Sequence, residues 1–441
     1  MPEYLPLILF GLVFLLILSG YPVAFVLGGV STVFGLIFIG PEIFNFLPLR
    51  VMGTMSNLML IAVPLFIYMG IMLEKSGLAE SMLETMALLF GRLRGGLAMS
   101  VVIVGAMLAA STGIVGATVI TMGLISLPTM LKRGYSPELA TGTIASSGTL
   151  GQIIPPSVVL VLLGSVLNVS VGDLFTAALV PGLLLVGCYL LYILIVAQIK
   201  PEYAPAMPKE EVAKFFATPA RELFSKIALA FLFPFILIIA VLGSIFAGIA
   251  SPTEAAAVGA FGATLLTVIP KLAKGEFKLD LIKDVMRETT KISTMVFMIL
   301  IGATVFALVF RKLGGPDYLI HLIETAQLSP MAFLLMVMFV VFIAGFFIDF
   351  IEIIFIVVPI VAPIFSAFGM DLIWVGILLA LNLQTSFLSP PFGFALFYLK
   401  GVSPPGVTTK HLYRGIIPFV LIQLIFLVLV IKFPQLVKIL L

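Results

Sequence analysis

Charged side chains are scarce in this sequence: Asp, Glu, Lys and Arg make up 10% of its 441 residues, against roughly 25% in soluble domains. With 61% hydrophobic residues and a mean hydropathy of +1.27, that scarcity excludes a water-soluble fold. The 24 basic and 21 acidic residues nearly cancel, so no nucleic-acid role follows from charge. A single cysteine, Cys188, excludes an intrachain disulfide and a cysteine-based metal cluster, and in its apolar run it reads as an inert buried thiol. The two histidines, His321 and His411, are isolated, flank apolar runs and lack metal-ligand spacing, so they read as surface residues. A Walker lysine loop, a zinc-protease helix and a Gly-x-Ser-x-Gly elbow are all missing, which leaves ATP hydrolysis by this chain unsupported. So is the alternating ten-residue pattern of an outer-membrane barrel.

What the sequence has in quantity is apolar length. At least twelve hydrophobic units run roughly over 5–18, 22–39, 58–73, 97–131, 139–167, 174–199, 227–249, 255–269, 292–310, 331–368, 372–399 and 415–431. Many reach the ~20 residues that cross a ~30 Å hydrocarbon core, so the fold class predicted is an all-α polytopic membrane protein. The first unit is short for a span and would tilt or lean on a partner. With no basic stretch or cleavage site ahead of it, it reads as a retained span. Units 97–131 and 331–368 are too long for one crossing and hold small or polar residues near their middles; two half-crossings folded back on themselves, a re-entrant hairpin, fit such lengths.

Basic residues outside these units gather at Arg92 and Arg94, at Lys132 and Arg133, and within 200–226 and 271–291. The positive-inside rule makes these sites cytoplasmic, and if 97–131 returns to the side it left, both termini fall in the periplasm. The stretches around Glu210, Glu211 and Lys214, and around Lys278, Lys283 and Arg287, fit either surface helices at the lipid interface or a solvated linker. In Ser251-Pro252-Thr253-Glu254, Ser251 or Thr253 is expected to cap a helix whose dipole Glu254 complements.

A repeat underlies the order. Pro128, Gly134, Pro155 and Pro156 recur 235 residues later as Pro363, Gly369, Pro390 and Pro391, while Lys75-Ser76-Gly77 ends one unit where Arg311-Lys312 and Gly314 end another. Each half reads span, hairpin, broken span, span, and the second hairpin should enter from the opposite face. Inverted repeats with paired interrupted helices point to a secondary transporter whose site lies near the midplane. The division expected is 1–56, N-terminal scaffold; 57–200, first repeat, with a hairpin near 97–131 and a broken helix near 139–167; 201–291, interfacial and connecting helices; and 292–441, second repeat, with a hairpin near 331–368 and a broken helix near 372–399.

Polar residues concentrate at the breaks. The first hairpin turns at Ser111, Thr112 and Gly113; its broken partner carries Ser146, Ser147, Gly148 and Thr149, then Pro155, Pro156 and Ser157. Two prolines free the carbonyls of the preceding turn and glycines permit unwinding. Carbonyls and hydroxyls together make an oxygen cage for a small hard cation, although Ser and Thr also back-bond within helices or space their packing. The second repeat supplies Asp349 and Glu352, then Asn382, Gln384, Thr385, Ser386 and Ser389 before Pro390 and Pro391. Intramembrane carboxylates need a partner, a proton or an ion; for Glu352, ion coupling and anchoring by backbone donors are equally open. An intramembrane enzyme built on Asp349 and Glu352 would lack any nucleophile–base pairing.

At these motifs the sequence resembles the large membrane subunit of a tripartite ATP-independent periplasmic (TRAP) transporter. The resemblance rests on Gly116-Ala-Thr-Val, Leu131-Lys-Arg-Gly-Tyr with Ala140-Thr-Gly, Gly148-Thr-Leu-Gly-Gln-Ile-Ile-Pro-Pro-Ser, Val171-Gly-Asp-Leu-Phe, Ser251-Pro-Thr-Glu-Ala-Ala-Ala and Asn382-Leu-Gln-Thr-Ser-Phe-Leu-Ser-Pro-Pro-Phe-Gly, which span nearly the whole chain. It implies an elevator-type, ion-transporter-superfamily fold in the bacterial inner membrane and Na+-coupled import of a small organic acid. It also implies a small four-helix membrane subunit and a periplasmic substrate-binding protein as partners. Carried onto this sequence, one Na+ region is Ser111, Thr112, Gly113, Ser146, Ser147 and Gly148, and the other Asp349, Asn382, Thr385 and Ser386; Thr149, Gln384 and Ser157 are the substrate candidates. Where many members have a second tip serine this chain has Ile114, and where a serine follows the hairpin aspartate it has Phe350, so backbone carbonyls would stand in. The pattern is nearer the branch associated with 2-oxo acids, mannitol and haloaromatic acids than the sialic acid branch. A stand-alone dicarboxylate or citrate symporter driven by Na+ or H+, independent of a binding protein, is the alternative.

Overall fold

The computed structural model describes residues 3–112 and 115–441, less the side chains of Ser111, Thr112 and Leu229. These residues build helices and no strand. The first half holds α1 (Leu5–Leu18), α2 (Val23–Phe38), α3 (Ile43–Met55), α4 (Leu58–Lys75), α5 (Leu78–Leu89), α6 (Gly96–Thr112), α7 (Val115–Lys132), α8 (Pro137–Thr149), α9 (Val158–Leu167) and α10 (Val171–Ile199). A connecting region follows with α11 (Lys209–Phe216), α12 (Ala220–Phe246) and α13 (Pro252–Ala273). The second half holds α14 (Leu279–Lys312), α15 (Gly315–Thr325), α16 (Pro330–Ala344), α17 (Phe350–Ala367), α18 (Leu372–Leu388), α19 (Phe394–Val402) and α20 (Thr409–Lys432), before a last turn at Gln435–Lys438.

Among the described residues eight helices are long and apolar enough to cross a bilayer, or nine if α15 and α16, bent by 120°, count as one. The other apolar units fall short because Gly and Pro interrupt them. α8 gives way to a tight turn at Leu150–Gln152 and then Pro155-Pro156; α18 stops at Leu388 ahead of Pro390-Pro391, and both proline pairs are joined by cis peptide bonds. The repeat is visible in the backbone: Gly77 (φ 83°) and Gly314 (φ 79°) take the left-handed conformation that a side chain resists, and each opens a short helix after a long one. Gly134 and Gly369 form a second such pair.

The two halves exchange partners. α9 packs against α17 and α18, while α19 packs against α7 and α8; α20 lies on α8, and α10 lies on α18. A pattern in which each half gives the other what it receives is that of a twofold. Within each half, α6 and α7 pack on each other and on α8, as α16 and α17 pack on each other and on α18. Beside this assembly α4 sits between α13 and α14, and α14 also carries α2 and α3.

Two expectations about the surface resolve differently. Lys209–Phe216 is a short helix of its own, whereas Lys278, Lys283 and Arg287 open α14, a single 34-residue helix, because no proline interrupts that stretch. Ser251 caps α13 in a capping box: its hydroxyl accepts from the Glu254 N–H at 3.3 Å, and the Glu254 carboxylate accepts from the Ser251 N–H at 2.8 Å.

Candidate functional site

The broken helices are polar at their broken ends, and their hydroxyl and amide residues there, Ser146, Ser147, Thr149, Gln152, Asn382, Gln384, Thr385, Ser386 and Ser389, are buried. Ser146 and Ser147 donate to the Thr143 and Ile144 carbonyls at 3.1 and 3.0 Å, and Thr149 donates to Ser146 O at 2.9 Å. In the second half Thr385 donates to Leu381 O at 2.7 Å and Ser386 to Leu383 O at 2.9 Å. These hydroxyls back-bond, yet a hydroxyl that gives its proton away keeps its oxygen lone pairs for a ligand. Asn382 is tied differently, its amide donating to Met338 O on α16 at 2.7 Å. Ser157 is occupied at both ends: it donates to Gln152 O at 2.9 Å and caps α9 through the Leu160 N–H.

Small residues set how closely the hairpin arms approach these breaks. A Cβ on Gly148 would meet the Val119 backbone at 3.2 Å, one on Gly151 would meet Ala109 Cα at 3.1 Å, and one on Gly345 would meet Ser386 Cβ at 2.8 Å. The last two contacts fall at nearly the same place in the two halves: Gly151 stands 235 residues before Ser386, and Ala109 stands 236 before Gly345. One half spends its glycine on the broken helix, the other on the hairpin arm. The first hairpin's Gly113 and Ile114, and the side chains of Ser111 and Thr112, lie outside the described residues.

Asp349 is the N-cap of α17. Its carboxylate accepts from the Phe350 N–H at 2.6 Å, and Glu352 accepts in return from the Asp349 N–H at 3.3 Å. Glu352 therefore has the anchoring role in hand. Asp349 also lines a cavity of about 150 Å³ walled by Val115 and Gly116 of α7, Val158 of α9, Phe387 of α18, Tyr398 of α19, and residues of α4 and α14. Among the described residues no basic side chain lines it. The first turns of α7, α9 and α17 reach it, so the positive ends of three helix dipoles do.

Sequence reading picked Gln384, with Thr149 as its counterpart in the repeat, but passed over Gln152. Gln152 and Gln384 are both 0% exposed, and the amide nitrogen and oxygen of each have no hydrogen-bond partner among the described residues. The turn carrying Gln152 packs against α18, which carries Gln384. A buried amide left without partners costs roughly 1–3 kcal/mol, so the two amides, one on each broken helix, are suited to bonding a polar ligand. Only their burial betrays this, since in sequence Gln152 is one polar residue in a glycine-rich run.

Interrupted helices beside eight or nine apolar helices long enough to cross a bilayer define, among the described residues, a multi-pass membrane protein. In fold the chain is similar to the Alcanivorax borkumensis YdaH transporter, whose crystal structure was described as having an unusual topology, with a TM-score of 0.60, 15% identity, and coverage of 91% of this chain and 90% of that one. Residues 10–436 match the profile of the tripartite ATP-independent periplasmic transporter DctM component, and the chain belongs to that family. It is 33% identical over 406 residues to the C4-dicarboxylate TRAP transporter large permease protein of Pseudomonas aeruginosa, covering 92% of this chain and 91% of that protein. It is 30% identical to the sialic acid TRAP transporter large permease of Vibrio cholerae (95% and 94% covered) and 28% identical to the ectoine TRAP transporter large permease of Halomonas elongata (95% and 95%). The chain is thus a transport permease and not an enzyme.

Proposed function

We propose that the chain is the large permease of a Na+-coupled importer in the bacterial inner membrane. It takes up a small organic acid, a 2-oxo acid, hydroxy acid or dicarboxylate, and works with a small four-helix membrane subunit and a periplasmic binding protein that delivers the acid. The observation that carries the reading is the pair of buried amides with no partner among the described residues, Gln152 in the turn after α8 and Gln384 in α18, which packs on that turn; a cavity lined by Asp349 is separately met by three helix N-termini. Amide donors and dipole ends accommodate a carboxylate without a buried arginine. Relatives named for C4-dicarboxylate, sialic acid and ectoine transport support a polar, mostly acidic cargo.

In this reading Na+ binds among Ser111, Thr112, Gly113, Ser146, Ser147 and Gly148, and again among Asp349, Asn382, Thr385 and Ser386, where hydroxyl and carboxylate oxygens suit a small hard cation. Thr149, Gln384 and Gln152 face the acid. The α6–α7 and α16–α17 pairs are re-entrant hairpins that dip in from opposite faces, and with the broken helices they ride as an elevator along α4, α13 and α14, both termini lying in the periplasm. Two Na+ per monovalent acid leave one net positive charge moving with the field, worth ~2.3 kcal/mol per 100 mV.

The test is uptake into proteoliposomes holding this chain and its small subunit, with the binding protein and labelled pyruvate or succinate outside. Uptake that needs an inward Na+ gradient and the binding protein supports the reading. Equal uptake with K+ replacing Na+ sinks the coupling, and undiminished uptake without the binding protein selects a stand-alone symporter.

A further inference from the structure

A second cavity, about 430 Å³, opens between α3 and α14 on one side and α9 and α17 on the other. Its polar wall includes Arg50, Asn57, Ser165, Asn168, Thr304 and Arg311, and among the described residues no acidic side chain lines it. Among the described residues neither arginine has a carboxylate partner; the ion pairs engage Lys75, Arg133, Lys226, Lys283 and Lys438. Arg311 donates from Nε to Ala307 O at 3.3 Å, which steadies the guanidinium on its own helix, and its terminal NH2 groups have no partner among the described residues.

The position of these charges is unusual. Lys75 at the end of α4 pairs with Glu288 near the start of α14 at 2.7 Å, so the two helices run antiparallel. Asn57 and Leu60 at the other end of α4 share this cavity with Arg311 at the end of α14. Arg50 and Arg311 therefore stand at the membrane face opposite the basic start of α14, the face where the positive-inside rule disfavours arginine. Both arginines are exposed at the cavity, so their guanidinium groups are open to a solute, and a guanidinium fork matches a carboxylate bidentately, which a lysine does not.

We propose that Arg50 and Arg311 form a carboxylate-binding vestibule, separate from the central cavity, that takes a small mono- or dicarboxylate. Asn57, Asn168, Ser165 and Thr304 take the keto, hydroxyl or second carboxylate oxygens. The vestibule rests on the function proposed above only for the direction in which the acid passes through it. Arg50 and Arg311 lie on α3 and α14, while Ser165 and Asn168 lie at the end of α9, so an acid held there bridges the two helix groups.

The experiment is carboxylate-dependent thermal stabilisation of the full chain in detergent at fixed ionic strength, with succinate and pyruvate as probes and uncharged succinamide as control. It is run on the wild type, R50Q, R311Q, the double glutamine variant and the double lysine variant. The expected result is stabilisation by the acids and not by succinamide, an apparent Kd weakened about tenfold or more by each glutamine variant, and partial recovery in the lysine variant. A double glutamine variant that melts like the wild type without ligand and binds acids as tightly overturns the proposal, as does a wild type that no acid stabilises. Unchanged acid affinity with uptake lost only when a binding protein delivers the acid also overturns it, and assigns the arginines to acidic side chains of that protein. Acid binding that follows the arginines in a chain whose uptake ignores Na+ leaves the vestibule standing while the coupling reading falls.

Discussion

A buried glutamine that finds no partner and a leucine of similar size differ by the cost of stripping water from the amide, so the two make a sharp comparison. Gln384→Leu should leave the melting temperature unchanged or raise it, because the roughly 1–3 kcal/mol desolvation penalty disappears, while uptake falls about tenfold or more. A glutamine kept for structure would give the reverse: lower melting and retained uptake. Asp349 lends itself to the same logic. Asparagine caps helices as well as aspartate does, so Asp349→Asn should keep α17 and its stability but abolish the Na+ dependence of uptake, read as flux against Na+ concentration. Glu211 makes the contrast on the surface. Its hydrogen bond to Arg133, 2.5 Å between Oε2 and Nη2, holds its carboxyl below the ordinary carboxylate range. A carboxylate lowered in the folded state contributes stability above its unfolded pKa and loses it as pH falls through the folded value. That contribution is small for so exposed a pair, and Glu211→Gln should cost less than ~1 kcal/mol at neutral pH, checked by thermal melts at pH 7 and pH 4. At this scale the sequence revealed the hydroxyl clusters, because they break an apolar run. It did not reveal Gln152 as an orphan, nor that Arg50 and Arg311, 261 positions apart, share a cavity.

At the scale of elements, prolines and glycines did most of the specifying. The paired prolines mark where α8 and α18 end, so the helix interruptions were legible in the sequence. The continuity of α14 was not, since its charged first half looks like a surface helix until nothing is found to stop it. Close crossings depend on glycine too. A side chain on Gly142 of α8 would run into the backbone of Gly415 on α20, and one on Gly415 into the backbone of Glu138; with a small residue on each side the two helices touch backbone to backbone. Gly415→Val should therefore force α20 off α8 at a cost of about 1–3 kcal/mol, seen as a lower melting temperature. Gly11, on a part of α1 where a Cβ meets nothing within 4 Å, should accept alanine with no loss.

On the scale of the whole molecule, the proposed elevator predicts which helices slide past each other. Asn57 follows α3 and Ser165 belongs to α9, and their side chains meet at 3.5 Å, across the boundary between the proposed fixed and moving parts. Since Cys188 is the single native cysteine, a Cys188→Ser background makes cross-linking clean. Joining Asn57→Cys to Ser165→Cys should stop uptake and release it on reduction, while a cross-link between α16 and α18, inside the moving part, should leave uptake intact. An uptake rate indifferent to the first cross-link would rule out sliding at that seam. The partner exchange between the halves also bears on biogenesis. While the ribosome is still making the second half, α8 has no α20 to cover its glycine face and α9 has no α17 to lie against, so the inserted first half waits in the lipid with polar breaks uncovered. Such a chain, stalled or truncated before α20, presents an unfinished surface to membrane proteases. Its lifetime in the cell should be set by how fast translation delivers the missing half.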